Sequence, residues 1–352
     1  MHVFFVNRSW ALVALLLLLV LSGCERKEVV RSDAGLTALT PVNVVPITAV
    51  ERLYVTAMNE DKVVAIDLAR GTVVSEQRVG SKPYGLAVDR PRNQLLVVCA
   101  LGHEVWFLDL DSFAVLGTAK VGRVPGMVTV DESKAHAYVS NTKGDAFSIL
   151  DVVARQEIAQ IETGKAPYNV EILSNNRLAV LNHDAATLTL VDLDAHIVIE
   201  TYEAVPKSAG LALHPNGTIL YSGGHGSQDD ATEILVHDLV QGKNIGKIHT
   251  GDMPASMSIS NNALHVVLHD SERLVSYALT EGYPEISRLT TGKYPFAVIP
   301  ILSNENRVAV TNMDSDLVQV FDIAAGKEVQ SIPVVGGPVG AVYYIKQSGS
   351  RE

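Results

Sequence analysis

Short apolar runs, each closed by a polar cluster rich in Gly, Asn, Asp or Pro, follow one another from residue 51 to residue 346. No apolar period of 3.6 residues persists in that span, so the runs predict strands and argue against a βα solenoid or a Rossmann fold. One phrase keeps returning. VGSKPYGLAV, VGRVPGMVTV, TGKAPYNVEI, VPKSAGLAL, TGDMPASMSI, TGKYPFAVIP and VGGPVGAVYY are versions of one tight turn feeding an apolar strand. The turn glycine steps from Gly80 to Gly122 (42 residues), Gly164 (42), Gly251 (87, two units), Gly292 (41) and Gly336 (44), which makes seven turns.

Behind each turn runs the same order of segments: an apolar strand, a polar turn such as DRPRNQ or SNNR, a second strand such as AYVSN, a polar loop, and a third strand ending near Asp. A more polar fourth strand follows, as in GTVVSEQR and QEIAQIE. The third-strand acids are Asp67, Asp109, Asp151, Asp192, Asp238 and Asp322, with Tyr277 in that place in one unit. Their expected work is structural, accepting backbone N–H bonds at the hairpin that follows. Four strands in about 42 residues is the length of one propeller blade. The segment from residue 51 lacks a first strand, and the closing GPVGAVYYIK supplies only a first strand, so together they complete one blade. The prediction is all-β: a seven-bladed β-propeller over 51–346, four antiparallel strands per blade, closed by its terminal strands so that no sheet edge is left to aggregate.

YVTAMNEDKVVAIDLARG (54–71), YVSNTKGDAFSILDV (138–152) and AVTNMDSDLVQVFDIAAGKEV (309–329) resemble YVTN-type β-propeller repeats, found in many exported bacterial and archaeal proteins. The resemblance covers all of 51–346. It implies the fold and leaves function open, because the repeated residues are scaffold.

The N-terminus adds a location. Arg8 precedes an unbroken apolar run over residues 10–21, too short for a spanning helix of roughly 20 residues and suited to an export signal. Leu21-Ser22-Gly23-Cys24 resembles a bacterial lipobox, which implies cleavage after residue 23 and lipidation of Cys24. Residues 24–50 then read as a tether and 347–352 as a tail. Glu25 favours the outer membrane over the inner, with the protein facing the periplasm. The one other cysteine, Cys99, lies in the apolar run QLLVVCA and reads as a buried inert thiol. No Cys-x-x-Cys-His occurs, so covalent c-type haem is excluded. With 28 Lys and Arg against 39 Asp and Glu, the net charge of −11 disfavours nucleic acid and anionic lipid as partners of the surface as a whole. The membrane is met only through the lipid anchor.

Candidate chemistry is local. In a propeller the blade-joining turns and the loops between second and third strands open on one face. The turns carry Lys82, Arg123, Lys165, Lys207 and Lys293 against a single acid, Asp252, and add Tyr84, Tyr168 and Phe296 at the channel mouth. Cations, turn N–H groups and rings around one opening predict a binding or assembly module that holds an anionic small molecule or an acidic segment of an envelope partner. His103, His183, His225 and His269 lie in the second loop set and are expected to be solvated. The longer loop SGGHGSQDDATE (222–233) combines His225, Ser227, Gln228, Asp229 and Asp230, and places His225 with the ligand-binding candidates. No P-loop or Gly-x-Ser-x-Gly elbow is present, and no catalytic residue, metal ligand or cofactor is assigned. A monomer is expected. Two alternatives stand beside binding: a metal-assisted lactonase or esterase, which would need carboxylates, Asn or His aimed into the channel where only Asn169 and Glu171 form a polar pair, and a propeller handling a tetrapyrrole or other redox cofactor.

Overall fold

The computed structural model describes residues 50–224 and 232–346. These form seven separate four-stranded antiparallel sheets. Blades two to seven each take four consecutive strands, opening with Pro83–Asp89, Pro125–Asp131, Pro167–Leu173, Ser208–Leu213, Pro254–Ser260 and Pro295–Pro300. Blade one is composite. Its first strand, Pro338–Lys346, pairs antiparallel with Val50–Ala57, and Lys62–Asp67 and Thr72–Arg78 follow outward. The first strands of successive blades touch one another around the ring and so form its inner wall. The chain is a seven-bladed β-propeller closed by strands from both ends of the repeat region.

The core is correspondingly divided. Each of seven apolar clusters sits between two neighbouring blades, as where Leu53, Val55 and Ile66 of blade one meet Val318, Val320 and Ile332 of blade seven. Second and third strands are covered on both faces, which is why Gln94–Cys99 is buried throughout and reads as a continuous apolar run. Outermost strands such as Gln156–Glu162 have one face in water and keep the polar alternation.

The recurring motifs have physical reasons. In three blades the hydroxyl of the YVTN-like strand links two inner strands. Thr56 accepts from Gly340 N–H and donates to the Tyr84 carbonyl, Ser140 accepts from Met127 N–H and donates to the Tyr168 carbonyl, and Thr311 accepts from Ala297 N–H and donates to the Val339 carbonyl. Each hydroxyl thus joins its own blade to the next. In blades three and four an asparagine at the end of this strand lies under the turn glycine of its blade: a Cβ on Gly122 would come within 2.5 Å of Asn141, and one on Gly164 within 2.8 Å of Asn182. Gly-x-x-Pro and YVTN recur together because they pack together.

The third-strand aspartates cap their hairpins as expected. Asp151 Oδ1 accepts from Val153 and Ala154 N–H, and Asp192 and Asp238 repeat the arrangement. In blade six the register puts Ala278, not Tyr277, in this place, since Ala263 pairs with Ala278 as Arg52 pairs with Asp67. Cys99 is buried, and burial pushes its thiol up to about 12.

Candidate functional site

Blade-joining turns and second-to-third-strand loops are hydrogen-bonded into one rim. Ala100 N–H donates to the Lys82 carbonyl, Lys143 to Arg123, Asp184 to Lys165 and Asp314 to Lys293. Loop side chains then hold the next turn: Asp61 accepts from Lys82 N–H, His103 Nδ1 from Val124 N–H, Asp145 from Ala166 N–H and Asp316 from Gly337 N–H. His103 therefore does the work that Asp does in three other blades. All four loop residues adopt φ of 50 to 53°, a left-handed conformation in which a short polar side chain folds back on the backbone.

The five predicted basic residues stand on this rim in different states. Lys82 Nζ donates to Asn59 Oδ1, and Lys207 is bound to Asp184 at 2.7 Å. Arg123, Lys165 and Lys293 are exposed, and among the described residues none forms an ion pair. His225 lies outside the described residues, as do Ser227, Gln228, Asp229, Asp230 and Cys24.

Assembly of the rim also brings in acids that the turns alone do not reveal. The intervening loops contribute Glu60, Asp61, Asp145, Asp184, Asp270, Glu272, Asp314 and Asp316 against a single cation, Lys143. The described rim thus carries six cations and nine carboxylates, and the positive collar expected from the turns is confined to one side. Arg123, Lys143, Lys165 and Lys207 occupy adjacent turns and loops of blades three to five, with Asp145 and Asp184 between them. Lys293 stands apart from that group, among the acids of blades six, seven and one.

The predicted aromatics converge on the channel mouth and pack against one another there. Tyr84, Tyr168 and Phe296 come from blades two, four and seven, and the hydroxyls of Tyr84 and Tyr168 are hydrogen-bonded to each other. Tyr84 also meets Phe296 edge-on at 5.4 Å between centroids. Burial raises both tyrosines, pushing Tyr168 up to about 12, so both phenols stay protonated at neutral pH. The histidines expected in solvent extend this roof. His183 packs on Tyr168 at 5.7 Å, while His269 is buried, 4.5 Å from Tyr294 and 5.6 Å from Phe296. His183 Nδ1 lies 3.1 Å from the Ser208 carbonyl, and burial lowers its affinity for a second proton. Ring packing overrode loop polarity at both positions.

Below the roof lies a cavity of about 270 Å³ lined from all seven inner strands. Its walls are mostly Ala, Val, Met, Leu and Gly, with Thr129, Asn169, Glu171, Ser256 and Ser258 as polar exceptions. Asn169 is engaged with the Ala209 carbonyl and Val170 N–H. Burial alone pushes the Glu171 carboxyl up to about 7. Among the described residues no group of three or more His, Cys, Asp or Glu is placed to hold a metal ion.

No family model and no curated protein sequence matches the chain. Its structure is similar to several solved ones. Hydrazine synthase of Kuenenia stuttgartiensis superposes with a TM-score of 0.64 at 14% identity, covering 78% of this chain and 99% of that one. A functionally unknown protein from Desulfotomaculum acetoxidans gives 0.72 at 10%, covering 83% and 98%. Apo AztD from Citrobacter koseri gives 0.60 at 14%, covering 85% and 99%. At these identities the likeness is one of fold: the chain shares the seven-bladed propeller scaffold with all three.

Proposed function

We propose that the protein is a lipid-anchored, periplasm-facing binding module of the YVTN-repeat type, which holds an acidic segment of an envelope partner, or an anionic small molecule, on one arc of its rim. The observation that carries this reading is the group of Arg123, Lys143 and Lys165, exposed on hydrogen-bonded turns and in no ion pair among the described residues. Three unneutralised cations on a backbone framework held by the blades form a pre-organised surface for carboxylates or phosphates. Lys207 flanks the arc with its charge shared by Asp184. The acids of blades six, seven and one fix the orientation of a charged partner by repelling it from the far side.

A labelled peptide rich in Asp and Glu, followed by fluorescence anisotropy, tests the reading. Arg123→Glu with Lys165→Glu is expected to weaken binding at least tenfold, and added salt to weaken it in the wild type. Lys293→Glu is expected to change it less than twofold, because Lys293 stands outside the arc. Equal effects of the two changes, or none, would overturn the proposal. The scaffold is shared with an enzyme, hydrazine synthase, so the fold does not choose between binding and catalysis.

A further inference from the structure

The cavity beneath the aromatic roof has a composition unlike the rim. Its wall mixes apolar and neutral polar groups and holds one carboxylate, Glu171, which makes no hydrogen bond and no ion pair among the described residues. The carboxyl is half-buried and open to the cavity, and a carboxylate without a protein partner on a cavity wall points to something that enters it.

The geometry points to the channel as a binding site for a small organic cation of the alkylammonium class, with the Glu171 carboxylate as counter-ion. An anion would meet an uncompensated carboxylate. A hard divalent ion needs six or more oxygen ligands, which one carboxylate and scattered hydroxyls among Ala, Val and Met do not provide. An alkylammonium fits on both counts: its charge pairs with Glu171 while its carbons lie against Met127, Ala297 and Phe296. At about 270 Å³ the cavity takes a small molecule rather than a single water. A second cavity shares Leu86, Val128 and Thr129 with the first and is bordered by Asp131 and by the Arg90–Glu132 ion pair at 3.1 Å.

Isothermal titration of the full chain with n-butylammonium, and with n-pentanol as a neutral analogue one carbon longer, tests the site. The ammonium is expected to bind with proton release near pH 7, because pairing ionises a carboxyl that burial holds at about 7. Its affinity should rise roughly tenfold from pH 6 to pH 8, following the ionised fraction of Glu171. Glu171→Gln should weaken it at least tenfold and remove both the proton release and the pH dependence, leaving pentanol unaffected. Should that variant not fold, the wild-type pH dependence and proton release decide the matter. No binding at pH 8 in millimolar amine, binding indifferent to pH, or equal affinity in Glu171→Gln would overturn the assignment.

Discussion

The Thr56 hydroxyl donates to the Tyr84 carbonyl oxygen at 2.9 Å while accepting from Gly340 N–H at 2.9 Å, so one side chain of blade one holds its own inner strand and that of blade two. The bond also fixes the backbone of the residue that roofs the channel. Thr56→Val keeps the shape and removes the hydroxyl, leaving a buried N–H and a buried C=O unpaired. The expected cost is about 1–3 kcal/mol in chemical unfolding, with the same from Thr311→Val, whose hydroxyl joins blades seven and one. A change under about 0.5 kcal/mol at both positions would show that the inter-blade bridges are dispensable.

The pairing of turn glycine and strand asparagine makes a second prediction. Gly122 has an ordinary backbone conformation, so its need for glycine is one of space: a Cβ would lie 2.5 Å from the Asn141 amide, which is itself buried and bonded to Ser148. Gly122→Ala should cost about 1–3 kcal/mol, as overpacking does. Gly246, on an outermost strand with nothing within 4 Å of its Cβ position, is the control, and Gly246→Ala should be neutral or slightly stabilising. Equal melting temperatures for the two variants would contradict the packing account.

The same contacts explain what could be read before the fold was seen. Blade number, closure and strand order were legible because every unit repeats the constraints just described, and a ring of like units has few other solutions. The rim was legible as a place and misleading as a charge. Lys82, Arg123, Lys165, Lys207 and Lys293 sit at one repeat position and catch the eye, while Asp61, Asp145 and Asp316 sit at another and meet the turns only through hydrogen bonds across a blade. His183 and His269 occupy loops that resemble solvated ones, and nothing local shows that rings from other blades cover them. Glu171 is visible in TGKAPYNVEI as an acid on an inner strand, but its isolation depends on six other strands offering no cation. That is a property of the ring.

Acid stability follows from the hairpin aspartates. In Asp151, Asp192 and Asp238 the backbone N–H bonds received at the hairpin hold the carboxyl below its ordinary range. A group lowered in the fold contributes stability that is complete above its unfolded value, near 3.9, and is lost as the pH falls through the folded value. The protein should therefore lose stability as pH drops below about 4. In an Asp151→Asn, Asp192→Asn, Asp238→Asn triple variant, where the amide oxygen still accepts but carries no charge, that loss should be shallower. Superimposable acid-denaturation curves would remove these residues from the explanation.

Glu171 predicts the opposite trend. Its folded-state value, about 7, lies above its ordinary 4.5, so the native protein keeps a proton that the unfolded chain has already released over that interval. Stability therefore falls as the pH rises from about 4.5 to about 7 and is level on either side of that window. Glu171→Gln cannot ionise and escapes the penalty. Near pH 4 wild type and variant should unfold at the same denaturant concentration, since a protonated acid and an amide make similar demands on the cavity. Above pH 8 the variant should be more stable, by on the order of 2–3 kcal/mol from the size of the displacement. An n-butylammonium ion in the channel would narrow the gap by stabilising only the ionised wild type, so the measurement is made first without amine and then with it. A stability difference that does not vary between pH 4 and pH 8 would mean that the carboxyl is neither isolated nor buried as the ring of inner strands places it.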